Sequence, residues 1–471
     1  MHIDRIEWAY MGSTTSSLRF VNTVPRAQRI PGLAVVVGLL AILPSFTNLK
    51  IGSFQSEDFV LLLLLGFCLA KFLCSSFSFR IAAELSGLFK SYGLLLLLLF
   101  FWSVLSARLT FYPLIDVSFL KQPVIFSLSK LLQLVATVCG FFWLTNVFMT
   151  EKKLFTRALS AYWLTGLAVS LYAILCYVAI AITHSSSQTA IVGAYNNGGE
   201  ILRARGFFNE GGPFGIYVVS IFLVGLLRRH VTGRRLGLVN IGILCLAFIL
   251  SASKAGFFAA TLLFFFSIIS AASFWKKVSY LILSVTLLWG TAASLNFGDQ
   301  LYGYLYSFQN IEEQVAARGT DLNLVAGRVS ALYIVPKMIS AHPITGIGLG
   351  NYPLMRNDPH YLGVLPAIPE VEDVGGIGIP GIAAEIGVPA TLWLLILLFA
   401  PYRISRKRAS ILAVAAVFQP LAHTFAVQLT FFYPWFVSAC AFAALSYDSA
   451  AVHARPRNSF SPVRPLEISE C

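Results

Sequence analysis

Long apolar runs, separated by short polar turns, constrain the fold of this chain more than any other feature. Of its 471 residues, 57% are hydrophobic and only 12% are charged, and the mean hydropathy is +0.76. Soluble domains carry about 25% charged residues, so half that fraction indicates a membrane protein with several spans. The sequence therefore predicts an all-α polytopic membrane protein.

A window of about 19 residues finds twelve candidate transmembrane helices. Their approximate ranges are 31–47, 58–77, 91–107, 131–149, 158–182, 213–228, 236–250, 255–272, 277–295, 380–400, 409–427 and 429–447. The predicted organisation is an N-terminal tail (1–30), nine helices (31–295), one large loop (296–379), three helices (380–447) and a C-terminal tail (448–471). The first thirty residues lack the pattern of a cleaved signal peptide, so we expect the first span to be an uncleaved anchor.

Basic residues give the chain a net charge of +13, but they lie in short clusters between apolar runs. This distribution is typical of topology determinants, so we expect no nucleic-acid partner. With both termini in the cytoplasm, inner segments carry roughly twice as many Lys and Arg residues as outer segments, as the positive-inside rule requires. The large loop is then predicted on the outer face of the membrane.

Cysteines give no sign of a disulfide framework or a metal site. Most of the seven lie inside apolar runs, and no two form a C-x-x-C pair. We interpret them as small apolar residues of the membrane helices.

The loop at 296–379 is long enough to indicate a folded, working segment. Its stretch 326–356 reads as an amphipathic helix, a stop at His342-Pro343, a glycine-rich turn and an aromatic residue. The glycines form G-x-G-x-G after a helix rather than G-x-G-x-x-G after a strand, which argues against a dinucleotide site.

Four basic residues on the predicted outer face are candidates for binding an anion: Arg203, Arg205, Lys254 and Arg328. Charges at membrane depth are functional candidates, and guanidinium groups bind phosphate oxygens in pairs. Their alternative role is to anchor the chain at the lipid headgroups. His360 and the acidic run Glu370, Glu372 and Asp373 also lie on this face, where the alternative is a solvated surface.

Together, four stretches resemble the O-antigen ligase and polymerase superfamily of bacterial membrane glycosyltransferases. They are R-A-R-G-F-F-N-E-G-G-P-F-G (203–215), S-A-S-K-A-G (251–256), the Arg-containing helix with its glycine turn (327–352) and I-A-A-E-I-G-V-P-A-T-L-W-L-L (382–395). The third stretch is the specific one, and the resemblance covers roughly 200–400.

The resemblance implies a C-type glycosyltransferase fold that acts on glycans carried by undecaprenyl pyrophosphate, without metal or other cofactor. It implies that Arg203 or Arg205, Lys254 and Arg328 bind the pyrophosphate and stabilise its developing charge. The partners it implies are the lipid-linked glycan, a saccharide acceptor and the lipid bilayer, with a chain-length regulator and a flippase as further candidates.

The catalytic base is where this chain departs from the family. Ligases carry His-Asn eleven residues before the glycine at 387, and this chain has Gly376-Ile377 there. Candidates for the base are His360, Glu372 and Glu385, the last from the E-x-G of the fourth stretch.

The missing His-Asn favours a polymerase of O-antigen or exopolysaccharide repeat units over a ligase that transfers finished glycan to lipid A core. A transporter or flippase is the alternative of a different class. It would place charges in the middle of the spans, whereas here they gather at the outer mouth. A purely structural partner of such a machine is a further alternative.

Overall fold

The structure of the protein is a computed structural model. It describes residues 33–46, 83–110, 122–183, 194–196, 202–208, 210–270, 308–318, 322–325, 327–368, 378–405, 410–425 and 427–453, with isolated positions between 62 and 306.

Within these ranges every element is helical except one short pair of strands. The helices are α1 (Leu33–Ile42), α2 (Ala83–Leu109), α3 (Pro123–Thr150), α4 (Lys152–Thr183), α5 (Gly211–Thr232), α6 (Leu238–Leu250), α7 (Lys254–Ser270), α8 (Ile311–Arg318), α9 (Leu322–Val325), α10 (Arg328–Ala341), α11 (Tyr352–Met355), α12 (Pro359–Leu362), α13 (Ile379–Ile386), α14 (Val388–Ser405), α15 (Ser410–Thr424) and α16 (Phe432–His453). A 3₁₀ turn, Leu43–Phe46, follows α1.

Five of the described helices are long and apolar enough to cross a membrane. They are Leu85–Ser106 within α2, then α3, α4, α5 and α14. Five shorter apolar helices, of 10–17 residues, accompany them. The prediction of a helical membrane protein is confirmed, while the predicted spans 58–77 and 277–295 lie almost entirely outside the described residues.

The span predicted at 380–400 is divided into two helices at Gly387. This residue has φ +80°, and a Cβ there would lie 2.0 Å from Ile344 O. Because the left-handed backbone and the close contact both favour glycine, the chain turns here instead of continuing as one helix. Only α14, after the turn, is long enough to cross a membrane.

Helices α3, α4, α5, α15 and α16 form the centre of the bundle, which is rich in buried aromatic rings. Trp163 of α4 and Trp435 of α16 are fully buried, and the ring of Tyr162 stacks on that of Phe436 at 4.8 Å between centroids. Gly225 of α5 lies directly against Trp163, where a Cβ would be 2.3 Å from the indole ring. Small residues of this kind allow membrane helices to approach closely.

Strands β1 (Ala194–Asn196) and β2 (Leu202–Ala204) form an antiparallel pair in which Tyr195 is opposite Arg203. The pair packs against α4 and lies beside the start of α5. We call this end of the bundle the hairpin end. Three-residue strands carry too little alternation for a sequence pattern to reveal, and the strand pair was not predicted.

The described part of the predicted loop at 296–379 folds into five helices, α8 to α12, around a small core of its own. Helix α10 and the change of direction after it confirm the helix and stop predicted there. This segment is joined to the bundle by hydrogen bonds: Trp102 Nε1 donates to Ile344 O at 3.1 Å, and the Val388 N–H donates to Pro343 O at 2.9 Å. Helix α10 also packs against α13.

The packing at Gly225 predicts that Gly225→Ala destabilises the bundle. The added methyl group would overlap the buried indole of Trp163, and overpacking of this kind costs about 1–3 kcal/mol. Thermal unfolding of the purified protein in detergent, followed by intrinsic fluorescence, measures the change as a lower Tm.

The matched control is Gly242→Ala on α6, where no atom lies within 4 Å of the new Cβ. Because alanine favours a helix over glycine by about 0.5–1 kcal/mol, this variant should keep or slightly raise the Tm. Equal Tm values for the two variants would contradict the packing described for α4 and α5.

Candidate functional site

The first turn of α5 is where separate parts of the chain meet. A Cβ on Gly211 would lie 2.4 Å from Ser251 O and 3.4 Å from the Cβ of Arg203. A Cβ on Gly212 would lie 3.9 Å from Nη2 of Arg328. Strand β2, the turn between α6 and α7, and the start of α10 therefore surround the beginning of α5.

Ser253 fixes the turn between α6 and α7 in this position. Its Oγ donates to Gly212 O at 2.8 Å and accepts the Gly256 N–H at 2.9 Å. The side chain is 1% exposed, and Ala252 beside it adopts φ +46°. Lys254 follows at once as the first residue of α7, half-buried at the same place.

Arg203 is positioned by strand β2, and Arg205 by the turn that follows it. Nε of Arg203 is buried and has no hydrogen-bond partner within the described ranges. Arg205 accepts the Phe208 N–H at its carbonyl oxygen, at 3.0 Å. Gly206, which lies between Arg205 and Phe208, has φ +56°, a conformation that closes the turn and that glycine adopts without strain.

Three helices, α5, α7 and α10, begin at this place, and the first N–H groups of a helix have no partner within the helix itself. The partial positive charge of a helix start adds to the charges of Arg203, Lys254 and Arg328. Among the described residues, the acid next to this place is Glu210, the exposed residue that precedes α5. We call the first turn of α5 with Arg203, Lys254 and Arg328 the anion site, because its chemistry suits phosphate oxygens.

A second cluster surrounds Glu385, the last but one residue of α13. Its carboxylate accepts the backbone N–H groups of Gly350 and Tyr352, and the ammonium group of Lys130 lies close by. Burial raises the pKa of Glu385 to about 7, although the two N–H donors and Lys130 act in the opposite direction. A carboxyl group with this pKa exchanges a proton near neutral pH. We call Glu385, Lys130 and Tyr352 the Glu385 cluster.

The glycine-rich turn after α10 builds this second cluster. Gly346 has φ +64°, and a Cβ on it would lie 2.3 Å from Glu385 O. The N–H groups of Ile347 and Gly348 donate to the carbonyl oxygens of Ala384 and Glu385, each at 2.9 Å. The third and fourth sequence stretches thus bind each other directly, and the glycines permit that approach.

Helix α10 connects the two clusters. It begins with Arg328 at the anion site and packs against α13, the helix that carries Glu385. Arg328 is exposed, while Val329, Ser330 and Ala331 after it are buried. The backbone of Arg328 is therefore held in place, and its side chain is accessible to a ligand.

His360 lies on the surface, apart from both clusters. It belongs to α12, where its backbone N–H donates to Asp358 Oδ1 at 2.8 Å. With Lys337 and neighbouring residues of α10, it lines an open groove of about 480 Å³. Nζ of Lys337 lies 3.6 Å from the centre of the Tyr333 ring and donates to Tyr361 O, so this lysine holds α12 in place. Glu372, with Glu370 and Asp373, lies outside the described residues.

Comparison with models of known protein families and with curated proteins finds no match.

Lys130 and Arg356 carry no signal in the sequence that distinguishes them from other basic residues. Lys130 lies beside Glu385, a position that only the fold reveals. Arg356 is fully buried, and its guanidinium donates to Val325 O and, at 3.1 Å, to Asn357 Oδ1. It closes the C-terminal end of α9, and no spacing in the sequence distinguishes it from a surface arginine.

These contacts predict that substitution of two arginines of the same segment changes stability to different extents. Arg356→Gln should lower the free energy of unfolding by about 1.5–3 kcal/mol, because it removes charged hydrogen bonds inside a packed core. Arg328→Gln should leave it unchanged, because Arg328 is exposed. Thermal unfolding and limited proteolysis of the 308–368 segment measure both effects. An equal loss in both variants would contradict the distinction between a structural and an accessible arginine.

Proposed function

We propose that the protein is a membrane glycosyltransferase that polymerises oligosaccharide repeat units carried on undecaprenyl pyrophosphate. The observation that carries the proposal is the anion site: Arg203, Lys254 and Arg328 meet at the start of α5, at one end of an apolar bundle. These residues come from three of the four stretches that resemble the glycosyltransferase superfamily.

The chemistry of the anion site favours a diphosphate over a small monovalent anion. Arg203 and Arg328 each present a planar fork of donors, and such forks bind phosphate oxygens in pairs. The buried Nε of Arg203, without a partner in the described part of the chain, supplies a donor that a bound phosphate would satisfy. Helix N-termini are common phosphate sites for the same electrostatic reason.

Lipid-facing residues of α4 provide a place for the hydrocarbon part of such a donor. Beside the hairpin end, α4 exposes large apolar side chains. They are Leu171, Leu175, Val178 and Ile182, which are 43–73% exposed. A ligand with a charged head and a long apolar tail fits this combination, because each part meets a surface of its own kind.

In the proposed reaction, a hydroxyl of the acceptor saccharide attacks the anomeric carbon of the donor sugar. The bond between that carbon and the pyrophosphate oxygen breaks, with inversion, and undecaprenyl pyrophosphate leaves. Arg203, Lys254 and Arg328 stabilise the negative charge that develops on the leaving group. The proton of the attacking hydroxyl passes to a carboxylate, and Glu385 is the described residue whose pKa suits this role.

The orientation that accompanies the proposal places the anion site on the periplasmic face and both termini in the cytoplasm. Twelve spans, a chain-length regulator and a flippase belong to the same proposal. Basic residues at the bundle end opposite the hairpin support this orientation, since cytoplasmic loops are enriched in Lys and Arg.

Arg328→Gln is predicted to abolish polymerisation while the protein still folds. Negative charge forms on the leaving pyrophosphate in the transition state. Removal of one cation that stabilises this charge reduces the rate by about 10²–10³-fold. The measurement is glycan length on a gel, from a deletion strain complemented with wild type or variant at equal expression. Wild type should restore long chains, and the variant should leave a single repeat on its acceptor.

Arg108→Gln is the matched control, because Arg108 is an exposed arginine at the end of α2 and outside the anion site. It should restore long chains fully. Long chains with Arg328→Gln would contradict the pyrophosphate site. Long chains that accumulate on the lipid carrier in the deletion strain, without transfer to lipid A core, would identify the enzyme as a ligase instead.

Activity is also predicted to rise with pH through about 7, the pKa of Glu385. Below this pH the carboxyl group is protonated and accepts no proton, so the rate at pH 6 should be about tenfold below the plateau. Transfer from a purified lipid-linked donor, measured between pH 5.5 and 8.5, gives the profile.

Glu385→Gln should be inactive across that range, whereas Glu385→Asp should keep partial activity with a shifted profile. A pH-independent rate in wild type, or full activity of Glu385→Gln, would exclude Glu385 as the base. The base would then be His360 or Glu372.

A further inference from the structure

A dense group of basic side chains lies at the bundle end opposite the hairpin. It comes from the start of α4, the end of α5 and the link between α5 and α6. Its members, which we call the basic cluster, are Lys152, Lys153, Arg157, Arg228, Arg229, Arg234 and Arg235. All are exposed except Arg228, which is half-buried. The cluster lies roughly 25 Å from the anion site, since 17 residues of α5 separate Gly211 from Arg228.

Neutral partners hold the basic cluster in place. Nε of Arg228 donates to Ser160 Oγ at 3.3 Å, which ties the end of α5 to the start of α4. Nζ of Lys152 lies 5.5 Å from the centre of the Tyr447 ring. The cluster lies within two sequence ranges, 148–160 and 226–240. These ranges contain one acidic residue, the half-buried Glu151. Among the residues that the structure describes, the contacts of the cluster therefore leave an excess of positive charge.

Helix dipoles favour only part of this charge, although the enrichment of Lys and Arg in cytoplasmic loops accounts for its sign. Arg229 lies in the last turn of α5, where a cation interacts favourably with the helix dipole. Lys152 and Lys153 open α4, where the dipole disfavours a cation. Arg234 lies in the link after α5 and repels Arg228 electrostatically. Concentrating these charges opposes folding unless an anion neutralises them.

Exposed apolar side chains adjoin the cluster. Leu238 and Val239 open α6, three and four residues after Arg235, and are 87% and 76% exposed. Leu164, 63% exposed, lies on α4 one turn beyond Ser160, and α4 packs against α6. A ligand at this place therefore meets cations at one end and an apolar surface at the other.

We infer that the basic cluster is a binding site for anionic phospholipid of the surrounding bilayer, with the phosphate among the arginines and lysines and the acyl chains on α4 and α6. Charge complementarity selects the headgroup, because each Lys or Arg near a membrane surface attracts anionic lipid. The exposed leucines and valine select a lipid over free phosphate. This binding is independent of the reaction proposed at the anion site.

The test is native mass spectrometry of the full-length protein in detergent, titrated with phosphatidylglycerol and with phosphatidylcholine of the same acyl chains. Wild type should retain phosphatidylglycerol in preference. Arg234→Gln/Arg235→Gln removes two charges from the link between helices and should weaken phosphatidylglycerol binding by roughly 30-fold. Lys90→Gln/Arg403→Gln removes two exposed charges from other helices, α2 and α14, and should leave the binding unchanged.

Equal retention of the two lipids by wild type, or an equal loss of binding in both double variants, would overturn the inference. So would full displacement of the lipid by inorganic phosphate, which would show that the headgroup charge alone is recognised.

A second measurement does not depend on the variants. Phosphatidylglycerol with a photoreactive group in its acyl chain, added to wild type, should label peptides that contain Leu238, Val239 or Leu164. Labelling distributed over all lipid-facing helices would contradict a site at the basic cluster.

Discussion

The close approach between the first turn of α5 and the turn at Ser251–Ser253 is the contact on which the rest of the site depends. Glycine at 211 and 215 allows it, since a Cβ on either residue would lie within 2.4 Å of an atom of Ser251 or Ser253. Ser253 then bridges Gly212 O and the Gly256 N–H. Backbone groups in a membrane bundle need internal partners, and this bridge supplies them while it brings the starts of α5 and α7 together.

The segment between α7 and α13 completes this arrangement from outside the bundle. Helix α10 begins at the anion site with an exposed arginine, and the glycine turn after it supplies two N–H groups to the Glu385 carboxylate. Helix α10 thus runs from Arg328, one of the cations, to the turn that contacts Glu385.

Composition and hydropathy were sufficient to predict a helical membrane protein, and the glycine and proline pattern was sufficient to predict α10 and its stop. The same reasoning identified Arg203, Lys254 and Arg328, because charges are conspicuous among apolar residues. It failed at Gly387, where a tertiary contact with Ile344 O divides a predicted span, and at the short β1–β2 pair. Lys130 and Arg356 were missed because only the fold shows what surrounds them, and His360 proved to lie on the surface.

Binding of undecaprenyl pyrophosphate to the purified wild-type protein in nanodiscs, compared with binding of undecaprenol, which has the same tail and no phosphate, tests the anion site most directly. We expect the pyrophosphate to bind at least about tenfold more tightly, because charge-assisted hydrogen bonds to its oxygens exist only for that ligand. Inorganic pyrophosphate should compete for the site. Equal affinities for the two lipids, with no competition, would contradict an anion site at the start of α5.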